Sequence, residues 1–150
     1  LGGSHYGTLR SRCAYDLRGH ELSVRIAGRP RSDPSAEMAL CFIHYDMAPS
    51  YHQVCMDVIA GQLLAVVNND NNPVTMAQRA FDAANDPYWR LREQGGTVFM
   101  HTSADGVTWA PFFSLATPID LFQAHLLLLA GTYMAVATPG AAEYDDLVAQ

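Results

Sequence analysis

Short runs rich in Val, Leu, Ile, Phe and Tyr recur along the chain, separated by clusters of Gly, Pro, Asn and Asp. The interval is about ten residues, the spacing of an all-β sandwich or barrel. No stretch longer than ten residues keeps a 3.6-residue apolar period with caps at both ends, so helices are not expected. The pattern predicts strands over 6–11, 21–27, 38–45, 51–59, 62–68, 74–80, 88–94, 97–103, 109–115, 124–130, 132–137 and 141–148. Breakers fall between them, among them Arg29–Pro34, Asp46–Ser50, Ala60–Gly61, Asn68–Pro73 and Gly95–Gly96.

Two hairpins can be read with their register. In Tyr88–Ser103, Gly95–Gly96 is a two-residue turn, because glycine takes two positive φ angles without steric cost. Gln94 then faces Thr97, Leu91 faces Met100 and Trp89 faces Thr102. Trp89, Leu91, Val98 and Met100 share an apolar face that should be core. Arg90, Arg92, Phe99, His101 and Ser103 share the other, and a one-residue slip would bury both arginines. In Leu40–Ile59, pairing Tyr45 with Tyr51 gives Leu40, Phe42, Val54 and Met56 one apolar face, with His44 opposite His52. The other face sets Cys41 opposite Cys55 and Ile43 opposite Gln53.

The chain has 150 residues, enough for one domain, with residues 1–5 read as the remnant of a linker. It begins at Leu1 without an apolar signal segment, which suggests a processed piece of something longer. Apolar residues make up 49% and charged residues 16%, which excludes a disordered chain. No apolar run reaches the length of a membrane span. The net charge is −6, and all nine basic residues are arginine, six of them before Pro34. Such a balance does not supply the dense basic surface of a general nucleic-acid binder.

Candidate chemistry is sparse. Ser103-Ala-Asp105-Gly106-Val-Thr-Trp109 is the sharpest local signal. Ser103 and Asp105 can bond the backbone of their own turn, Gly106 supplies a positive φ, and Trp109 is expected to return to the core as an anchor. The pattern resembles the S-x-D-x-G-x-x-W turn of sialidase propellers, one residue shorter and present once. Cys41 and Cys55 are close enough to bridge if directly opposed, or form two buried thiols, with Cys13 left over. His44 and His52 want a third metal ligand, and Asp46, Asp57 and His101 show no spacing that argues for one. The turn Asn68–Asn72 offers oxygen ligands to calcium with a single acidic group among amides. Glu143, Asp145 and Asp146 lack the E-x-D-x-x-E arrangement of jelly-roll glucanases, since Val148 stands at the second Glu. No Ser–His–Asp, Cys–His or G-x-S-x-G order is present. The chain is therefore read as non-catalytic, with a glycan-active enzyme as the third alternative behind a binding module and a structural one.

The stretch Tyr88–Trp109 resembles the concanavalin A-like (LamG-like, DUF1349-like) jelly-roll domains of bacterial extracellular and phage tail proteins. It holds Trp89-Arg90-Leu91-Arg92, the Gly95-Gly96 turn, a strand, and Ser103 to Trp109. Residues 141–147, AAEYDDL, look like the closing strand of that family. The resemblance implies an all-β, two-sheet antiparallel sandwich with its first and last strands paired. It implies a carbohydrate- or surface-ligand-binding module of a secreted, surface or virion protein, or a structural or assembly module packed on neighbouring domains or subunits. The residues expected to bind ligand are Arg90, Arg92, Phe99 and His101. There Arg92 over Phe99 would form a cation–π pair, and Arg90 opposite His101 would add donors for carboxylates or sugar hydroxyls.

Overall fold

A computed structural model describes residues 5–28, 35–45, 50–136 and 141–150. Eleven strands and no helix are present among them. They are β1 (His5–Arg10), β2 (Glu21–Gly28), β3 (Ala36–Tyr45), β4 (Tyr51–Ile59), β5 (Gln62–Asn69), β6 (Asn72–Ala80), β7 (Tyr88–Gln94), β8 (Thr97–Ser103), β9 (Ala110–Ala116), β10 (Ala124–Thr132) and β11 (Glu143–Ala149). The six-stranded sheet runs β1-β10-β3-β4-β5-β6 and the five-stranded sheet β11-β2-β7-β8-β9. Every described pairing is antiparallel. The linker expected over residues 1–5 falls on residues 1–4, outside the described residues, and on His5, which opens β1.

Both derived registers hold. Leu91 pairs with Met100, Arg90 with His101 and Arg92 with Phe99. Tyr45 pairs with Tyr51, His44 with His52 and Cys41 with Cys55. In β7–β8 the period-2 pattern explains this, because a slip would exchange the buried and part-exposed faces; β3–β4 is buried on both faces, the outer one through Ala39, Cys41, Ile43 and Cys55. The turn joining β7 to β8 holds Gly95 at φ 59° and Gly96 at φ 80°, as the twist of a two-residue hairpin demands. Asp70 and Asn71 take the same role between β5 and β6, at φ 53° and 63°.

The core lies between the sheets. Phe42, Leu40, Val54, Met56 and Leu63 face Trp89, Leu91, Val98, Met100, Leu22 and Val24, all at most 1% exposed. Trp89 donates its indole N–H to the carbonyl of Asp86 at 3.0 Å, so the buried ring keeps its one polar group satisfied. A second apolar cluster, which includes Ala39, Ile43, Leu64, Val66 and Leu127, occupies the outer face of the six-stranded sheet.

Two expectations are corrected. No separate strand spans 132–137: β10 continues to Thr132 and residues 133–136 leave the sheet irregularly. The first and last strands are not paired. β1 pairs with β10 and β11 with β2, which puts the two chain-terminal strands at the same side of the sandwich but on different sheets.

Candidate functional site

The outer face of the five-stranded sheet carries the residues singled out from the sequence. Across it, Ser23, Arg90, His101 and Pro111 form one row, and Glu21, Arg92, Phe99 and Ser114 the next. Phe99 lies nearly parallel to the His101 ring, with centroids 6.2 Å apart and planes at 27°. It does not pair with Arg92 as expected. Arg92 turns the other way, its Nε 3.9 Å from the Glu21 carboxylate on β2. Arg90 reaches the same carboxylate at 3.6 Å.

The guanidinium–ring contacts of this face are two different ones. Arg90 Cζ sits 4.4 Å from the centroid of Trp109, and Arg25 Cζ sits 5.9 Å from Tyr88. Trp109 is therefore no core anchor; it lies partly exposed on the outer face. A bulge between β8 and β9 is the reason. Met100 pairs with Phe113, but His101 pairs with Pro111, so Phe112 is the inserted residue. One extra residue reverses the parity of everything before it and moves Trp109 from the inner to the outer side.

Burial shapes the electrostatics. It lowers the pKa of His101, and Arg90 and Arg92 lower it further, so the imidazole is neutral at pH 7. Burial also lowers the pKa of Arg90, against the pull of Glu21 and with a smaller push from Arg92. Arg90 Nε and His101 Nδ1 are enclosed and have no protein hydrogen-bond partner. Arg25, Arg90 and Arg92 stand against Glu21 and Asp145 here, a positive excess on a chain of net charge −6.

The 103–109 turn forms as the sequence indicates. The Ser103 hydroxyl donates to Asp105 at 2.9 Å and accepts from the Asp105 and Gly106 amides. Asp105 Oδ1 accepts from the Val107 and Thr108 amides at 2.8 and 2.7 Å, and these bonds hold its pKa down to about 2. Gly106 has φ 74°, and a Cβ there would lie 3.0 Å from the Tyr88 ring. Gly106→Val is accordingly expected to destabilise the domain by about 1–3 kcal/mol, through strain at positive φ and a clash with Tyr88. An unchanged urea midpoint would contradict this.

The remaining candidates are not brought together as metal sites. Cys41 and Cys55 are joined as a disulfide, and Cys13 is exposed and free. His44 Nδ1 contacts the Gln123 carbonyl at 2.9 Å, while His52 Nδ1 contacts Asn69 Oδ1 at 3.1 Å. Asp46 lies outside the described residues. At the Asn68–Asn72 turn Asn68 is buried with its Oδ1 unpartnered, Asn69 Oδ1 contacts His52, and the one carboxylate, Asp70, lies 3.8 Å from His52. Among the described residues no group of three His, Cys, Asp or Glu is placed to hold an ion.

Two charged sites escaped the sequence reading. Arg79 bonds the buried carboxylate of Asp86 through both Nη atoms, at 2.5 and 2.7 Å. On the outer face of the six-stranded sheet, Tyr6 donates to Glu37 at 2.8 Å, and Glu37 shares a hydrogen bond with the buried Asp57. Tyr6 reaches Glu37 by lying across Gly131, where any Cβ would fall 2.4 Å from its ring.

No protein-family model and no curated protein sequence matches the chain. Solved structures do. The exoplasmic/lumenal domain of VIP36 in its Ca2+-bound form superposes with a TM-score of 0.65 at 13% identity, over 98% of this chain and 72% of that one. A toad ovary galectin bound to thio-digalactose gives 0.55 at 9% identity, over 97% and 98%. A family 16 endo-glucanase from Bacteroides ovatus gives 0.58 at 11% identity, over 94% and 71%. The fold is a concanavalin A-like jelly roll. At these identities the similarity establishes the fold and leaves function to the site.

Proposed function

We propose that the chain is a non-catalytic module that recognises glycan, or another surface ligand, through the outer face of its five-stranded sheet. The observation that carries this reading is the set of stacked groups on that face: Arg25 on Tyr88, Arg90 on Trp109 and His101 on Phe99. Flat rings beside fixed donors suit a sugar ring and its hydroxyls. The Arg90 and Arg92 guanidinium groups add affinity for carboxylates. The lectins VIP36 and toad galectin, solved with sugars, lend support through their shared fold. The module would be displayed on a secreted, cell-surface or virion protein, as in the LamG-like and DUF1349-like domains that its central stretch resembles. Neighbouring domains or subunits would flank it.

The carboxylates favour binding over hydrolysis. Glycosidases hold two carboxyl groups about 5–9.5 Å apart across the scissile bond. Asp57 is buried instead, and burial, then the charge of Glu37 and a hydrogen bond with it, lift its pKa well above the carboxylate range. Asp145 lies 3.7 Å from Arg25 as a salt-bridge partner.

The double variant Phe99→Ala with Arg92→Ala tests the site. Binding on a glycan array should drop at least tenfold while the melting temperature stays within a few degrees, since neither side chain is in the core. Retained binding, or loss of an assembly state in place of binding, would make this face a packing interface and refute the reading.

A further inference from the structure

We propose, on the glycan reading of the five-stranded sheet's outer face, that the ligand is a saccharide bearing a carboxylate and that Glu21 holds the place of that carboxylate in the free protein. Among the described residues, Arg18 and Arg79 bond their carboxylates directly, at 2.8 and 2.7 Å to Asp16 and at 2.5 and 2.7 Å to Asp86. The arginines of this face do not. Arg90 stands 3.6 Å and Arg92 3.9 Å from Glu21, and Arg25 stands 3.7 Å from Asp145. These are charge pairs beyond hydrogen-bond reach. None of the three guanidinium groups donates a hydrogen bond to another described residue.

A single oxygen, Glu21 Oε2, faces both Arg90 and Arg92, which lie two residues apart on the same side of β7. One carboxylate against two guanidinium groups leaves a positive charge in excess, and both arginines keep donors unused. The Arg90 side chain is only 14% exposed, and its Nε is enclosed without a partner. Burial disfavours the charged form of Arg90, and an anion seated on it would offset that. Glu21 is fixed by its backbone, which exchanges two hydrogen bonds with Gln150. Its carboxylate accepts none from a described residue, so it can swing aside without disturbing β2.

The rings beside this anion position select the rest of the ligand. The row of Glu21 and Arg92 continues to Phe99, and the row of Arg90 continues to His101, whose ring lies against Phe99. Arg92 turns from Phe99 towards Glu21. A carboxylate held between the two arginines therefore sets the sugar ring that carries it beside the Phe99–His101 pair. A neutral sugar would leave the arginines without acceptors. A free inorganic anion would leave the rings without a partner. The net charge of −6 disfavours a nucleic acid.

The probes are uronate-containing oligosaccharides on an array, each beside its carboxyl-reduced counterpart, with sulfated saccharides as the competing anion. The intact chain is expected to bind uronates, at least tenfold more weakly the reduced forms, and more weakly the sulfates. Glu21→Gln should tighten uronate binding several-fold at an unchanged melting temperature, because the two arginines lose their internal anion. A merely structural Glu21 would give unchanged or weaker binding, and either result would overturn the proposal. Asp145→Asn removes the same charge from the same face, beside Arg25, and should tighten binding less. An equal gain would show that net charge alone matters and would overturn the placement between Arg90 and Arg92. Tighter binding of the sulfates would overturn the choice of carboxylate. Equal affinity for uronates and reduced forms, with both lost in the Phe99→Ala with Arg92→Ala variant, would sink this proposal and leave the glycan face standing. No binding on the array, or binding that survives that double variant, would overturn both.

Discussion

Asp86→Ala is expected to destabilise the domain by about 2–4 kcal/mol, lowering its melting temperature by about 5–15 °C. Asp86 is 2% exposed and binds four groups. Both Nη atoms of Arg79 bond its carboxylate, the Asp82 amide donates to Oδ2 at 2.9 Å, and the Trp89 indole donates to its carbonyl. Removing the carboxylate leaves Arg79 beside Thr102 and Phe112 with its charge uncompensated. Burial raises the Asp86 pKa, but the bonds from Arg79, Asp82 and Thr102 outweigh it, and the net shift is downward. A lowered folded-state pKa contributes stability above the unfolded value and loses it as pH falls through the folded one. The variant should therefore approach the parent in acid. Arg79→Met added to Asp86→Ala should recover part of the loss, because replacing both partners removes the orphaned charge. A change below about 0.5 kcal/mol at pH 7 would show that the pair is a surface ornament.

How much of this was legible in the sequence depends on parity and distance. The register of β7–β8 could be read because alternation is strict and the Gly95–Gly96 turn is short; that of β3–β4, apolar on both faces, followed from pairing Tyr45 with Tyr51 across a five-residue loop. Trp109 was misplaced because its side depends on Phe112, a bulge residue that no local composition announces. Glu93 continues the inward series of Trp89 and Leu91 and is buried. A carboxylate is tolerable there because the Gly19 and Gly96 amides donate to it, and the first of these lies 74 residues away in sequence. Arg79 and Asp86 meet across an irregular loop that the sequence marks only as a breaker. Glu37 and Asp57 sit on neighbouring strands in adjacent rows, and nothing in either strand's own pattern distinguishes a buried carboxyl from a solvated one.

Asp57→Asn is expected to stabilise the protein at neutral and alkaline pH and to remove a pH dependence of opposite sign to that of Asp86. Asp57 lies on the outer face of the six-stranded sheet among Ala39, Leu64 and Ile59, 5% exposed. Burial is the main cause that lifts its pKa well above the carboxylate range; the charge of Glu37 and the hydrogen bond with it add to the rise. The other titratable groups facing it are Tyr6 and Tyr144, whose own pKa values are raised, chiefly by burial, so neither supplies a charge at pH 7. With a raised folded-state pKa, the stabilising contribution is complete below the unfolded value. It is lost as pH climbs through the folded one, with a slope approaching about 1.4 kcal/mol per pH unit for one proton. Asparagine keeps the shape, donates an N–H to Glu37 where the acid donates its O–H, and has no proton to lose. Its Oδ1 would be as unpartnered as that of Asp57 is now. The difference in unfolding free energy between variant and parent should be near zero at pH 4 and grow towards pH 8. The other carboxylates cancel from that difference. Urea titrations at half-unit pH steps measure it, and a flat or falling difference would mean that Asp57 is ionised in the folded protein.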